Sequence, residues 1–132
     1  MFKPKSNIFQ NWNKDMYIAR KKEVVEYDDY NNEIIKYDTP FYFGKVNYQP
    51  LTKKDLEAYI KTFGETENNI VSCLIDYKDK GKFDIFDLAY LYDVKPYGET
   101  QNGDNANYLV RAFKPQNTKI MVILEEIIKE GN

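Results

Sequence analysis

Short segments rich in β-branched and aromatic residues recur along the chain, several with alternating apolar and polar positions, and this pattern predicts β-strands. Turn-forming Asn, Asp, Gly and Pro residues separate the segments. The predicted strands cover residues 16–27, 33–37, 41–48, 69–77, 88–92, 106–113 and 118–128. The last of them is apolar on both faces, so we expect a central strand that is covered on two sides. About seven strands joined by hairpins predict a mainly β fold, a small antiparallel β-barrel or sandwich.

The periodicity changes once, after Thr52, where it predicts a short α-helix over residues 53–63. The apolar residues of this segment recur at helical spacing as Leu56, Tyr59, Ile60 and Phe63. Thr52 and Asp55 resemble a capping box, and Gly64 stands where a glycine commonly ends a helix. We expect the apolar face of the helix to pack on the barrel or on a neighbouring subunit.

The domain organisation follows from these elements. We expect an extended N-terminal arm over residues 1–15, where no period is visible, and a single barrel domain over residues 16–132. That domain carries a helical insertion at residues 52–68 and a long loop rich in Gly and Asn at residues 96–105. Parallel strands would need helical crossovers, and only one helix pattern is present.

Length and composition bound the class of protein. The chain has 132 residues, 42% of them hydrophobic and 30% charged, which is typical of one soluble globular domain. No apolar run approaches the roughly 20 residues of a membrane helix, and residues 1–6 lack the apolar segment of a signal peptide. We therefore expect a protein that is made in a cytoplasm and has no membrane partner.

Two features of the composition argue against catalysis. The chain contains no His, which removes the usual general base and the usual metal ligand. Its single cysteine, Cys73, lies in an apolar run where a buried structural thiol is expected. Asp84 and Asp87 form a carboxylate pair, but acid–base work requires a pocket that shifts one pKa, and a surface position is the favoured interpretation. We expect no enzyme activity, no cofactor and no metal.

The aromatic content is high, with 12 Tyr and 8 Phe. Aromatic residues are favoured on the pleated surfaces of β-sheets. Tyrosine is also enriched at protein interfaces, where its ring packs while its hydroxyl stays hydrated. The composition leaves both interpretations, a tyrosine-rich core and an interface-rich surface, open.

Charge is close to balanced overall but is segregated along the chain. Residues 1–22 carry six basic side chains and one acidic, and residues 23–38 carry six acidic and one basic. Residues 65–104 carry nine acidic and four basic. Such segregation suggests that a basic arm of one subunit meets an acidic surface of another. An ordinary solvated surface is the alternative explanation of each run.

Three segments of the chain carry a resemblance to a known family. They are the hairpin EYDDYNNEIIKY, with its turn predicted at residues 28–32, the stretch VNYQPLT from Val46, and the closing ANYLVRAFKPQNTKIMVILEEI from Ala106. Together they resemble the head–tail connector proteins, also called head-closure, stopper or head–tail joining proteins, of tailed phages and prophages of low-GC Gram-positive bacteria. The likeness runs from residue 17 to residue 128. It has two departures, because the turn of the family has Gly where Asn32 stands and because the middle insertion here carries a helix.

The resemblance implies a structural virion protein of the phage neck. Such subunits form a homo-oligomeric ring, dodecameric or hexameric, that docks on the portal or its adaptor and closes the DNA channel. The ring offers its other face to the tail terminator or tail tube. Packaged double-stranded DNA passes through without specific binding, beside a loop inserted between strands. The expected location is the neck of the virion, and the host cytoplasm during assembly.

The resemblance and the charge pattern together nominate two groups of residues. Fixed negative charge repels phosphate and would let DNA slide. The candidates that face the channel are therefore Glu65, Glu67, Glu99 and Asp104. The candidates for the assembly interface are Phe9, Trp12, Tyr17, Tyr30, Tyr48 and Leu51.

Two other functions remain open at the level of the sequence. One is a tail terminator or another neck protein, which differs in the partner that it meets. The other is a monomeric ligand-binding or host-takeover module. Oligomeric state and binding to a portal protein discriminate among these functions.

Overall fold

A computed structural model of the chain describes residues 13–23, 25–97 and 105–127. In this part of the chain the strands are β1 (Asn13–Ala19), β2 (Glu26–Tyr27), β3 (Glu33–Ile34), β4 (Phe41–Asn47), β5 (Gln49–Pro50), β6 (Ile70–Asp76), β7 (Leu88–Tyr90), β8 (Tyr108–Gln116) and β9 (Lys119–Glu126). The helix α1 spans Lys53–Phe63, and a short 3-10 turn spans Tyr77–Asp79. No helix among these elements is long and apolar enough to cross a membrane.

Seven of the strands form one antiparallel sheet in the order β4-β1-β7-β8-β9-β6-β5. The two edge strands, β4 and β5, are consecutive in the chain and are separated only by Tyr48. Asn47 pairs with Asn13 at one edge, while Gln49 pairs with Ser72 at the other. Because two residues bridge a distance of only about 7 Å, the sheet must curl until its edges approach each other. The expected mainly β, barrel-like fold is confirmed.

The core lies inside this curled sheet, where alternate residues of six strands meet. The buried cluster consists of Met16, Ile18, Val46, Tyr48, Val71, Cys73, Ile75, Phe83, Ala89, Leu91, Tyr108, Val110, Ile120, Val122 and Leu124. β9 is buried on both faces, as its sequence predicts, because it lies between β8 and β6 and its outward Met121 and Ile123 pack under α1. Because successive side chains of a strand point to opposite faces of the sheet, every second residue of these strands lies inside the curled sheet.

The predicted helix is confirmed at residues 53–63. The Thr52 hydroxyl accepts a hydrogen bond from the Asp55 amide at 3.2 Å, which caps the first turn. Gly64 ends the helix with a φ of 88° and donates its amide to the Ile60 carbonyl at 2.8 Å. The predicted apolar face is narrower than expected, because only Tyr59 is buried.

Leu56 and Phe63, expected on the packed face of α1, are 38% and 40% exposed. Tyr59 is 3% exposed and contacts Met121 and Ile123 on the outer face of the sheet. The helix therefore docks through one tyrosine and its flanking residues.

The first predicted strand, residues 16–27, is interrupted. β1 begins at Asn13 and ends at Ala19, so residues 13–15 belong to the barrel and not to the N-terminal arm. Asp15 shows why, since its carboxylate pairs with Lys45 of β4 at 3.0 Å and accepts the Tyr42 hydroxyl at 2.9 Å. The chain then leaves the sheet at Arg20 to form the separate β2–β3 hairpin. The two predicted arms of this hairpin pair only at Glu26–Tyr27 with Glu33–Ile34 and, nearer the barrel, at a bridge between Lys21 and Tyr37.

Two further boundaries differ from the sequence prediction for long-range reasons. β7 ends at Tyr90, two residues before the end of the strand predicted at 88–92. Residues 83–87, which lead into β7, form turns, and the Phe83 ring lies 5.3 Å from that of Phe43 and 5.6 Å from that of Phe113, measured between centroids. β8 extends to Gln116, into the turn predicted at residues 114–117. The reversal falls at Asn117, whose φ of 53° suits a tight turn.

The sheet has two distinct ends. At one, which we call the hairpin end, lie the β2–β3 hairpin, residues 77–87 and the β8–β9 turn. At the other, the loop end, lie residues 64–69, residues 91–107 as far as described, and Ile127. The register fixes this arrangement, because the Asn69 carbonyl accepts from Glu126 and the Asn107 carbonyl accepts from Ile127. The two loops proposed to face a channel therefore arise from the same end of the subunit.

Candidate assembly interface

The β2–β3 hairpin is built around Asp28. Its carboxylate accepts the backbone amides of Tyr30 at 2.8 Å and Asn32 at 2.9 Å. Asn31 follows with a φ of 68°, a left-handed conformation that asparagine tolerates better than most residues. The pKa of Asp28 lies below its ordinary value, mainly because its carboxylate accepts the hydrogen bond from the Asn32 amide. The Asp/Asn-rich sequence thus forms the predicted turn at residues 28–32.

The hairpin exposes much of its apolar surface to solvent. Its exposed apolar side chains are Val25, Tyr27, Tyr30 and Ile35. Tyr30 at the tip is 84% exposed, the largest exposed fraction among the large hydrophobic residues described. An isolated two-stranded hairpin is marginally stable in water, and exposed apolar groups on a projecting element commonly mark an interaction surface. The hairpin is therefore a candidate contact element.

The base of the hairpin is fixed to the barrel through buried Asp87. The Asp87 carboxylate accepts the amides of Lys21 and Asp84, both at 2.7 Å, and pairs with Arg20 Nε at 2.9 Å. Asp87 is 2% exposed. Arg20 also donates to the carbonyls of Gly81 at 3.4 Å and Lys82 at 3.2 Å. One carboxylate thus joins the end of β1 to the segment before β7.

A cleft of about 260 Å³ opens at the hairpin end, next to Arg20. Its apolar lining consists of Ile75, Tyr77, Phe83, Phe113, Pro115 and Ile120, and its charged lining consists of Arg20, Asp79, Lys80 and Asp84. Two of these charges are already paired, since Asp79 binds Lys82 at 2.9 Å and Arg20 binds Asp87. The cleft is smaller than the roughly 300–1,000 Å³ of typical small-molecule sites. A single side chain suits its size better than a separate ligand.

Phe86 occupies a strained position beside the hairpin base. Its φ is 74°, in a turn closed by the hydrogen bond from the Asp87 amide to the Asp84 carbonyl at 3.2 Å. This is the position at which a type II turn favours glycine. The ring is 51% exposed and lies under Lys21 Nζ, 5.6 Å from the ring centroid. Because folding alone gains little from an exposed aromatic residue in a left-handed conformation, Phe86 is a second candidate contact residue.

Replacing Phe86 by glycine and by alanine should reverse the usual order of stability. A protein with alanine at a given position is normally more stable than one with glycine there by about 0.5–1 kcal/mol. A left-handed backbone conformation, however, costs an L-residue such as alanine about 1–2 kcal/mol. We expect Phe86→Gly to be more stable than Phe86→Ala by about 0.5–1 kcal/mol in urea unfolding. Ile85, 40% exposed and without a positive φ, is the control. Ile85→Gly should be less stable than Ile85→Ala. If Phe86→Gly were likewise less stable than Phe86→Ala, the backbone at Phe86 would not be strained.

The loop end is held together by Glu125. Its carboxylate accepts hydrogen bonds from Thr66 at 3.1 Å, Asn68 at 3.0 Å and the Tyr59 hydroxyl, and it pairs with Arg111 at 3.4 Å. Burial by itself raises the pKa of Glu125, but these hydrogen bonds and the arginine charge together lower it below its ordinary value. The loop that follows α1 is therefore anchored to β9 by an ionised carboxylate.

The residues nominated to face a channel divide into two groups. Glu65 and Glu67 are exposed, alternating with Thr66 and Asn68, whose side chains turn inward to Glu125. Glu99 and Asp104 lie outside the described residues. Two negative charges, those of Glu65 and Glu67, therefore lie in solvent at the loop end.

The residues nominated for the assembly interface have different surroundings. Of the nominated residues that the structure describes, Tyr30 at the hairpin tip is the one that is largely exposed. Tyr17 is half-buried and packs on Tyr42, with 5.2 Å between ring centroids. Leu51 is half-buried against the Tyr59 cluster under α1. Phe9 and Trp12 lie outside the described residues.

Tyr48 needs a correction, because it is 8% exposed and lies in the core. Its hydroxyl donates to the Asp15 carbonyl at 3.0 Å, and its ring lies 5.1 Å from that of Tyr92. Burial raises the pKa of Tyr48 well above its ordinary value. The stretch from Tyr48 to Leu51 closes the curled sheet within one subunit, so its role is internal.

Sequence reasoning missed three features of the hairpin end. Asp87 was expected at the surface, although an aspartate directly before the apolar run Leu88–Leu91 was a usable signal of burial. The strain at Phe86 and the cleft carry no local signal, because both depend on contacts between distant segments.

Among residues 13–23, 25–97 and 105–127, no three acidic or Cys side chains gather in a way that could hold a metal ion. Comparison of the chain with protein-family models, with curated proteins and with solved structures gives no match. The resemblance to head–tail connector proteins therefore rests on the quoted segments of the sequence alone.

Proposed function

We propose that the protein is a structural subunit of the neck of a tailed phage, which forms a ring between the portal or its adaptor and the tail. The observation that carries this proposal is the β2–β3 hairpin, which exposes Tyr27 and Tyr30 and which no other described element covers. Tyrosines on a projecting element suit a protein contact. The sequence resemblance supplies the identity of the assembly.

The two ends of the subunit support a role between two different partners. The hairpin end offers exposed apolar residues such as Ile85 and Phe86, whereas the loop end offers the exposed carboxylates Glu65 and Glu67. Different chemistry at opposite ends allows one ring to meet one protein above and another below. The cleft next to Arg20, at about 260 Å³, is below the usual range of small-molecule sites, which argues against a ligand-binding role for that cleft.

Co-expression with the portal protein encoded in the same genome tests the proposal. We expect the two proteins to co-purify and the complex to contain a closed ring of this chain, seen by light scattering and electron microscopy. The tyrosine pair Tyr27→Ala/Tyr30→Ala should reduce assembly while leaving the circular dichroism of the subunit unchanged. A subunit that stays monomeric with the portal, its adaptor and the tail proteins would contradict the proposal.

The charges of the loop end give a separate prediction about DNA. Glu65→Lys combined with Glu67→Lys places cations where phosphates would pass, so we expect DNA to be retained and ejection to slow, most strongly at low salt. Glu57, exposed on α1, provides a control, because Glu57→Lys makes one charge reversal of the same kind on another surface. Virions of the double variant that assemble and eject normally would remove the channel role from this loop and leave the ring intact.

A further inference from the structure

We propose that the hairpin tip of one subunit, led by Tyr30, inserts into the cleft at the hairpin end of the next copy of this chain. This inference rests on the proposed ring and specifies the contact that builds it. Tyr30 cannot already fill the cleft of its own subunit, because it is 84% exposed and is not among the residues that line the cleft.

The cleft has a volume and a lining that suit the binding of one aromatic side chain. Its volume of about 260 Å³ is lined by the aromatic residues Tyr77, Phe83 and Phe113, together with Pro115 and Ile120. Aromatic rings pack well against other aromatic rings in offset or edge-on arrangements. Tyrosine is also among the side chains that most often anchor an interface. A tyrosine from outside would extend the existing contacts of Phe83 with Phe43 and Phe113.

The charges around the two surfaces are complementary. The segment 23–38 that contains the hairpin carries six acidic residues and one basic. At the cleft, the segment 77–82 carries three lysines and one aspartate, and that aspartate is paired with Lys82. Among the described residues, Lys78 and Lys80 form no ion pair, and neither do Asp29 and Glu33 of the hairpin. Opposite charges of this kind steer two surfaces together and fix their orientation.

The contact joins two different surfaces, so it is head-to-tail. A head-to-tail contact closes into a ring when the rotation between copies allows it. This property is what a neck ring requires, and it separates the proposal from a symmetric pairing of two hairpins.

Charge reversal in two separate variants tests the contact. One variant carries Asp29→Lys and Glu33→Lys on the hairpin, and the other carries Lys78→Glu and Lys80→Glu beside the cleft. In each variant alone, the hairpin and the cleft carry charges of the same sign, so neighbouring copies repel each other. In a mixture of the two variants, the hairpin of one and the cleft of the other carry opposite charges at every mixed contact. All the altered side chains are exposed, so folding should be retained, as circular dichroism can confirm. Self-association is measured at low salt by light scattering, alone and with the portal protein present.

We expect the parent to associate, each variant alone to associate at least about tenfold more weakly, and the equimolar mixture to recover. If the mixture gains nothing, or if either variant alone assembles like the parent, the hairpin–cleft contact is wrong while the ring remains. If the parent itself never assembles, both the contact and the proposed function fail.

A tyrosine pair gives a second readout that does not depend on charge. Tyr30→Ala should weaken association by about tenfold or more, because it removes the anchor of the contact. Tyr97, 70% exposed at the loop end, provides the matched control. Equal effects of Tyr30→Ala and Tyr97→Ala would overturn the assignment of Tyr30 to the cleft.

Discussion

Replacing Asp87 by alanine is expected to lower the free energy of unfolding by about 2–5 kcal/mol. The substitution removes the acceptor of two backbone amides, those of Lys21 and Asp84, and leaves Arg20 without its carboxylate. Each buried donor that loses its partner costs about 1–3 kcal/mol. Arg20 recovers part of its hydration, because its side chain is 39% exposed, so the two amides dominate the loss.

Asp84 is the matched control for this substitution. It stands three residues earlier, is exposed, and its carboxylate accepts only the neighbouring Ile85 amide at 2.7 Å. Asp84→Ala should cost no more than about 1 kcal/mol, in the range of exposed substitutions and lost local turns. Urea unfolding at neutral pH measures both variants. Similar losses in the two would mean that Asp87 is not the anchor of the hairpin end.

The Asp87 variant also links stability to the proposed contact. Asp87 accepts the amide of Lys21, two residues beyond the end of β1, and so holds the base of the hairpin against the segment that lines the cleft. Losing it should let the hairpin move relative to the cleft, with faster hydrogen exchange at residues 20–22. The free energy of association is then expected to fall by more than the free energy of unfolding. The reason is that the hairpin and the cleft, which contact different neighbouring copies, lose their fixed spacing.

The local parts of this fold were predictable from the sequence because their causes are local. Thr52, Asp55 and Gly64 satisfy the helix ends by themselves, and the helix lies at the predicted residues. The turn around Asp28 has its hydrogen bonds within five residues. The strands were predictable because alternating apolar and polar residues indicate a strand with one face buried against the core.

The remaining features depend on which distant segments meet. Nothing near Tyr48 indicates that the chain there passes from one edge of the sheet to the other, since that requires the pairing of Gln49 with Ser72. The burial of Asp87 depends on Arg20 and Lys21, more than sixty residues earlier in the chain. Leu56 and Phe63 share the helical spacing of Tyr59, and only the width of the surface under α1 decides that they stay exposed. For the same reason the cleft could not be anticipated.

Replacing Tyr59 by alanine is expected to cost about 3–5 kcal/mol, the range for deleting a buried aromatic side chain. Tyr59 is the one buried residue of α1, and its ring packs on Phe63 at 4.7 Å between centroids. Its hydroxyl donates to Glu125 and accepts from Arg111 Nε at 3.2 Å. Leu56→Ala, on the same helix but at a 38% exposed position, should cost less than half as much. Thermal or urea unfolding compares the two.

Tyr59→Phe separates the hydroxyl from the ring and adds a pH dependence. It keeps the packing and removes a hydrogen bond to a charged group, so we expect a loss of about 1.5–3 kcal/mol at pH 7. Glu125 has a lower pKa in the folded chain than in the unfolded chain, so its contribution is present above the unfolded value of about 4.3 and disappears as pH falls through the folded value. The cost of Tyr59→Phe should therefore shrink in acid.

The alkaline side gives the opposite sign for the same hydroxyl. Burial, followed by the hydrogen bond to Glu125, raises the pKa of Tyr59 from 10.0 to about 12. A raised folded pKa means that the parent loses stability as pH rises from about 10 towards 12, whereas Tyr59→Phe has no such proton to lose. The difference between parent and variant should be largest near neutral pH and smaller at both extremes. A difference that is constant from pH 3 to about 11 would show that the ring, and not its hydrogen bonds to Glu125 and Arg111, fixes α1 to the sheet.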